Sequence, residues 1–510
     1  MNWGIILKSL GHKEMRNRIL AVLGMLLVFR ILAHIPVPLA DPHTLKQVLN
    51  NLFNQTNSSQ LLGVFNVLSG GALANFSIML VGLSPYINAS IIMQLLTKAI
   101  PKLEAMNKEG EYGRKRINQY TRMLTFPLAI IQSIGMIYLI RQEASQVGGL
   151  GDITANTSLM QWVVMIGALT GGSMVLMWLG ELITERSIGN GISLLITVGI
   201  VSRLPTLFNE LWSSAYWTTN NAVSDKAYLF HRNFSKHGLI LFGIVIVAII
   251  FVTWAVVKLN EASRRLTVNY AKRVQGNRTY GGVTTTLPVK LITAGVIPII
   301  FAVAFLSVPS FLGQLLTHGQ GTSYVPHSHW GHIGVQLSQL FQTPSAATFA
   351  VGGWQPWVYP ITYFLLVFIF TYFYTSVTFN SKEIAENLQK QGGFIADVRS
   401  GKQTEKYLGS IVNRLTLFGA AALGILAILP ILAQVKLNEN IAIGGTSILI
   451  LVSVSLETLR QVESRALMIT YDQYEAPDYF YEAPGVEGAP SEQASILARL
   501  PLIRRRKNKE

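Results

Sequence analysis

The chain has 510 residues, of which 50% are apolar and only 13% charged, with a mean hydropathy of +0.38. Soluble domains carry about a quarter charged residues, so this composition excludes a disordered chain and an ordinary soluble enzyme and points to a polytopic membrane protein. The net charge is +15 and there is no cysteine, which excludes disulfides, thiolate metal sites and cysteine nucleophiles.

In chain order, ten apolar segments of span length occur, at 19–36, 76–97, 121–140, 160–180, 191–211, 238–259, 291–312, 357–379, 411–433 and 443–460. Lipid offers no partner to a backbone amide or carbonyl, so such segments read as helices. A further apolar stretch, 61–75, is too short and glycine-rich to cross. No small-residue cleavage site follows the first segment, which therefore reads as a span rather than a removable leader. With the N-terminus inside, the inner segments hold 33 Lys and Arg and the outer ones 7. That asymmetry predicts both termini on the cytoplasmic side.

No Asp or Glu lies near the middle of a span; Glu181, Glu210 and Glu457 sit at span ends. Ion-coupled carriers keep ionisable groups at the midplane, so this pattern argues against a secondary transporter. The cytoplasmic loops 258–290 and 379–410 are long and basic. Composition alone leaves two readings open for them, orientation by positive charge or docking of an acidic or nucleic-acid partner. The chain contains no G-x-x-x-x-G-K-[ST], H-E-x-x-H or G-x-S-x-G pattern, so it is read as a non-enzyme without cofactor whose energy comes from a partner. His318, His327, His329 and His332 share the outer loop 313–356 without a carboxylate and read as solvated loop residues rather than a metal site. The stretch 61–97 is a short weak helix, then Ser69-Gly70-Gly71, then a span with Pro85 and a polar stripe of Ser90, Gln94 and Thr97. A broken helix of this kind belongs where backbone lines a cavity or is buried in protein; the stripe also fits plain interhelical hydrogen bonding.

At these residues the chain resembles the SecY family of protein-conducting channel subunits. The matching strings include FNVLSGGALANFSI (65–78), LSPYINASIIMQLL (83–96), NKEGEYGRKRINQYTR (107–122), MWLGELITERSIGNGIS (177–193), VNYAKRVQGNRTYGG (268–282), LPVKLITAGVIPIIF (287–301), FNSKEIAENLQKQGGFIADVRSGKQTEKYL (379–408) and IGGTSILI (443–450). They run from the first span to the last in family order.

The resemblance implies an all-α membrane fold of ten spans, arranged as two inverted five-helix halves around an hourglass pore. The halves would be 19–211 and 238–460, joined by an external hinge loop 212–237, with a cytoplasmic segment 1–18 and a tail 461–510. The tail, acidic and Pro/Gly-rich over 472–492 and basic at its tip, reads as disordered. It implies a plug at 61–75, represented by Phe65, Asn66, Ser69, Gly70 and Gly71, and an aliphatic pore ring of Leu83, Ile87, Ile196, Ile300 and Ile450. A lateral gate would carry Ser90, Gln94, Thr97 and Thr293, between spans 76–97 and 121–140 on one side and 291–312 and 357–379 on the other. Relatives often have Asn where this chain has Ile292.

Ribosome and SecA-type ATPase docking would use Arg264, Arg265, Lys272, Arg273, Arg278 and Arg399, with Asn277 where some relatives carry a second Arg. The implied partners are SecE-like and SecG-like small subunits, a SecA-type motor, the ribosome, signal peptides with their nascent chains, and membrane lipids. The implied location is the bacterial cytoplasmic membrane.

Overall fold

The computed structural model describes residues 13–37, 76–146, 158–186, 189–214, 226–229, 232–270, 273–275, 278–280, 284–295, 297–316, 329–341, 353–436 and 439–471, with a few isolated positions besides. Its helices are α1 (Lys13–Leu32), α2 (Ser84–Ala99), α3 (Pro101–Lys108), α4 (Glu111–Gln146), α5 (Leu159–Glu185) and α6 (Gly191–Ser214), then α7 (Lys236–Glu261), α8 (Ile297–Leu316), α9 (His329–Leu340), α10 (Gln355–Thr378), α11 (Ser381–Lys390), α12 (Lys402–Lys436) and α13 (Glu439–Tyr471). The strands are β1 (Lys226–Leu229), β2 (Arg232–Ser235), β3 (Ser263–Tyr270), β4 (Arg273–Gln275), β5 (Arg278–Tyr280), β6 (Thr284–Lys290) and β7 (Gly393–Ile395). The chain divides into two compact units. One is Asn17–Gln461; the other comprises Met1–Arg16 and Val462–Glu510, whose described residues are all helical.

Each of the ten apolar segments falls on a described helix. Four stretches among the described residues are by themselves long and apolar enough to cross a membrane: Leu159–Glu185, Phe242–Glu261, Gln355–Lys390 and Lys402–Leu432. The others are shorter or carry charge. The helix of α2 has 16 residues, and α1 contains Lys13, Glu14, Arg16, Arg18 and Arg30. Apolar side chains such as Leu20, Leu27, Val247, Ile250 and Phe418 are exposed on α1, α7 and α12. Faces of that kind suit a hydrocarbon surround.

The helix ends follow local chemistry. Ser158 and Gln161 form a capping box at the start of α5, with Gln161 N donating to Ser158 Oγ at 3.3 Å and Ser158 N to Gln161 Oε1 at 2.8 Å; such caps contribute about 1 kcal/mol. Pro101 forces Ile100 into an extended conformation (φ −105°, ψ 114°), which ends α2 and starts α3. Segments 76–97 and 291–312 each begin outside a helix. Gly82 (φ 64°) precedes Ser84, with Pro85 in the first turn of α2, and Gly295 (φ 62°) precedes Ile297. Left-handed backbone of this kind interrupts a helix and suits glycine.

Packing follows chain order, with α2 on α4, α4 on α5 and α5 on α6, while α8 packs on α2, α4, α9 and α10, and α10 packs on α12. Arg122 of α4 grips Glu181 of α5 through two contacts, Nε to Oε1 at 2.9 Å and Nη2 to Oε2 at 2.6 Å. The stretch 77–83 rests against α5. Ser173 Oγ donates to the Gly82 carbonyl at 2.8 Å, and at Gly172 any Cβ would collide with the Ile78 carbonyl. Ahead of it, Val37 N donates to Phe76 O at 2.9 Å and Ile78 N to Ile35 O at 3.0 Å, which ties 76–78 to the residues that follow α1.

The fold is mostly helical, as expected, and among the described residues it adds three small antiparallel sheets: β1–β2, β4–β5 and the three-stranded β6–β3–β7. The three-stranded sheet follows from the period-two pattern of SRRLTVNY, which buries Leu266 and Val268 and leaves Arg265 and Thr267 outward. Val268 pairs with Ile395, so the loops 258–290 and 379–410 are joined in one sheet rather than standing as separate loops. Its buried side packs Leu266, Val268, Val289 and Ile395 against Leu408, Ile411 and Val412 of α12.

Replacing Gly172 by Val should destabilise the fold by about 2–3 kcal/mol through overpacking against backbone. Gly171, where an added Cβ would meet nothing within 4 Å, is the control. Thermal unfolding in detergent checks this: a lowered Tm is expected for Gly172→Val and an unchanged one for Gly171→Val.

Candidate pore, gate and docking surface

Leu83, Ile87, Ile196, Ile300 and Ile450 are all buried, between 1% and 6% exposed. They come from the start of α2, from α6, from α8 and from α13. Leu83 precedes α2 directly, and Ile87 N donates to its carbonyl at 3.0 Å, so the two stand one turn apart on the same face. All five side chains are fully aliphatic, so none offers a hydrogen bond to its surroundings. The plug residues Phe65, Asn66, Ser69, Gly70 and Gly71 lie outside the described residues.

The polar stripe on α2 is internally satisfied in part. Gln94 Nε2 donates to Ser90 Oγ at 3.1 Å and Thr97 Oγ1 to the Met93 carbonyl at 2.7 Å, while Gln94 Oε1 is buried without a partner. Thr293 is elsewhere, its hydroxyl 3.2 Å from Thr375 Oγ1 of α10. Ile292 is buried, 5% exposed, and fills its place with aliphatic surface.

Between α2, α4 and α8 lies a cavity of about 310 Å3 whose apolar lining includes Ile91, Leu95, Leu128, Phe305 and Phe311. Asn88 and Gln132 are polar members of that lining, and Gln132 Oε1 is buried with no partner. At its edge the Phe311 ring fills the space a side chain at Gly135 would occupy. These residues were missed from sequence. A lone Gln and a Gly three residues apart inside the apolar segment 121–140 were the available signal.

On the sheet, Arg264 and Arg265 are exposed, at register positions opposite Val289 and Pro288. Arg273 and Arg278 stand on the β4–β5 pair, and Lys272 lies outside the described residues. Arg399 is exposed in the turn after β7, where its carbonyl accepts Thr404 Oγ1 at 2.9 Å; left-handed Asp397 (φ 66°) and Gly401 (φ 94°) bracket that turn. The pairing of β3 with β7 therefore carries the bases of the two cationic segments on one folded body, a link that no local sequence signal announces.

Apolar helices of span length, irregular backbone packed against protein at two helix entries, and a basic sheet together describe a polytopic membrane protein. Comparison with known proteins agrees. The SecY family model matches residues 77–459. The protein translocase subunit SecY of Streptomyces coelicolor is 38% identical over 466 residues, covering 90% of this chain and 97% of that protein. That of Corynebacterium glutamicum is 37% identical over 472 residues, covering 92% and 98%. Among solved structures, a protein-conducting channel superposes with a TM-score of 0.59 at 19% identity, covering 89% of this chain and 93% of its own. Sec61 in the canine ribosome–channel complex of the endoplasmic reticulum gives 0.55 at 18% identity, covering 89% and 93%. The chain belongs to the SecY family.

Leu408 is fully buried in the core beneath the sheet, so Leu408→Ala should cost about 2–5 kcal/mol locally. Because β3 and β7 share that core, limited trypsin digestion should release cleavage in 258–290 and 379–410 together. Cleavage confined to one segment would contradict the single-body description.

Proposed function

We propose that this chain forms the central pore of a Sec-type translocon in the bacterial cytoplasmic membrane, passing unfolded preproteins outward and releasing apolar segments sideways into lipid. The observation that carries this reading is the match to translocase subunits along 90% of the chain and 97% of the relative. The finer picture has ten spans in two inverted halves, 19–211 and 238–460, around an hourglass pore, with both termini cytoplasmic. The basic-residue asymmetry supports that orientation.

In this reading Leu83, Ile87, Ile196, Ile300 and Ile450 form the collar, and 61–75 plugs the outer funnel at rest. A collar without polar groups excludes water and ions by dewetting, yet gives a translocating backbone nothing to stick to. The lateral gate is the seam of α2 and α4 against α8 and α10. The contact of α8 with both α2 and α4, and the apolar cavity there, support that placement. A signal helix entering the seam gains about 25 cal/mol for each Å2 of apolar surface removed from water. Ser90, Gln94, Thr97 and Thr293 supply its polar contacts.

The sheet that joins β3 to β7 is the docking surface for ribosome and SecA-type motor, with Arg264, Arg265, Lys272, Arg273, Arg278 and Arg399 as its cations. A structural relative found in a ribosome–channel complex supports the ribosome as partner. Small SecE-like and SecG-like subunits complete the assembly, and the exposed apolar faces of α1 and α7 are surfaces for them or for lipid. The chain itself performs no chemistry; energy comes from the docked motor, from elongation, or from the membrane potential.

Two measurements test this reading. Ile450→Asn should wet the collar, so that planar bilayers show ion leakage and preproteins with weak signals are exported; a silent, selective mutant would remove Ile450 from the ring. Arg278→Ala should reduce the salt dependence of ribosome binding, by about 0.9 in log–log slope per lost phosphate contact if the duplex value holds. An unchanged slope would make this arginine an orientation signal only.

A further inference from the structure

The segment between β6 and α8 is pinned by several elements at once. Leu291 N donates to the Ala262 carbonyl at 2.8 Å, and Leu291 O lies so close to α12 that a Cβ at Gly419 would approach it to 2.7 Å. Thr293 bonds Thr375 of α10 at 3.2 Å. Gly295, in the left-handed region at φ 62°, faces α13: Glu457 Oε2 stands 3.7 Å from the point a Cβ would take.

Gly295 lies two residues ahead of α8, whose first turn contains Pro298 and no acidic side chain. A helix N-terminus carries partial positive charge and exposes unpaired amides. The carboxylate beside Gly295 belongs to α13 rather than to α8 itself. One turn beyond Glu457, Arg460 Nη2 donates to the Asn260 carbonyl at 3.1 Å, and Asn260 Nδ2 donates to Ser453 Oγ at 3.2 Å. These bonds tie α13 to the end of α7. Lys290, the last residue of β6, lies in the field of both charges: burial pushes its ammonium pKa down, Arg460 adds to that, and Glu457 opposes it. Neither the collar nor the docking cations use these groups.

We propose that Glu457 is a positioning residue for α8, its carboxylate standing beside Gly295, between the end of the docking sheet and the positive N-terminal end of α8. The inference rests on the reading of α8 as one wall of the lateral gate. The carboxylate holds α8 in its closed position, and because Lys290 ends β6, a partner that shifts the sheet alters the same anchor. Weakening it favours opening without touching the seam itself.

The test uses the intact translocon. The chain has no cysteine, so Ile92→Cys with Phe305→Cys, two positions that line the seam cavity, reports gate closure by bismaleimide cross-linking. Glu457→Gln should raise export of a reporter with a weakened signal about fivefold, the effect of a charge lost from a helix terminus. It should leave an intact-signal reporter unchanged and lower the cross-link yield. Glu457→Asp should restore both readouts, and Lys290→Gln should move them the same way by less. The proposal is overturned if Glu457→Gln matches wild type, if the Asp variant behaves like Gln, or, where Glu457→Gln fails to accumulate, if Lys290→Gln matches wild type. If cross-linking the cysteine pair leaves export unimpaired, α8 is not a gate wall, and that reading fails together with this inference, whatever the Glu457 variants do.

Discussion

A backbone without hydrogen-bond partners cannot rest in hydrocarbon, and the rest of this structure follows from how that constraint is met. Most of the chain satisfies it by helix. Among the described residues, the stretches that do not satisfy it this way include 77–83, ahead of α2, and 291–295, ahead of α8. Each lies against a helix that has dropped a side chain to receive it, at Gly172 in α5 and Gly419 in α12. Each also has a carbonyl or amide bonded to a neighbour, Gly82 O to Ser173 and Leu291 N to Ala262 O. Irregular backbone in a membrane protein is tolerated where protein covers it; Leu83 closes the first of these entries, and the two lead into the helices that carry Ile87 and Ile300.

Irregular entries also localise adjustment. A helix moves as a rod, whereas a short segment with one left-handed glycine can absorb rotation. Because Gly82 precedes α2 and Gly295 precedes α8, the two walls of the proposed gate each have such a segment at one end. The ion pair of Arg122 with Glu181 meanwhile links α4 to α5. The β6–β3–β7 sheet is continuous with one of these entries, since β6 runs directly into 291–295.

The helices were legible because an apolar run of span length has little choice but to close its own hydrogen bonds. The sheet was not, because the pairing of Val268 with Ile395 joins positions far apart in sequence, and SRRLTVNY within a basic loop reads as charge before it reads as alternation. Helix onset was misplaced at 76 and 291 because hydropathy ignores Gly82, Pro85 and Gly295. The five collar residues are ordinary Leu and Ile; only family resemblance distinguishes them, and their burial suits many roles. Gln132 and Gly135 matter through what faces them, an apolar cavity and the Phe311 ring, and neither neighbour is adjacent in sequence. Glu457 was noted as a span-end acid, but its position against Gly295 required the fold.

The central claim is an aqueous pore closed by apolar side chains and a plug. Planar-bilayer conductance of the purified translocon, with and without residues 61–75, tests it most directly. The account predicts a silent intact channel that conducts ions once those residues are deleted. Silence in both forms, while preprotein export persists, would contradict a pore that needs this segment as its seal.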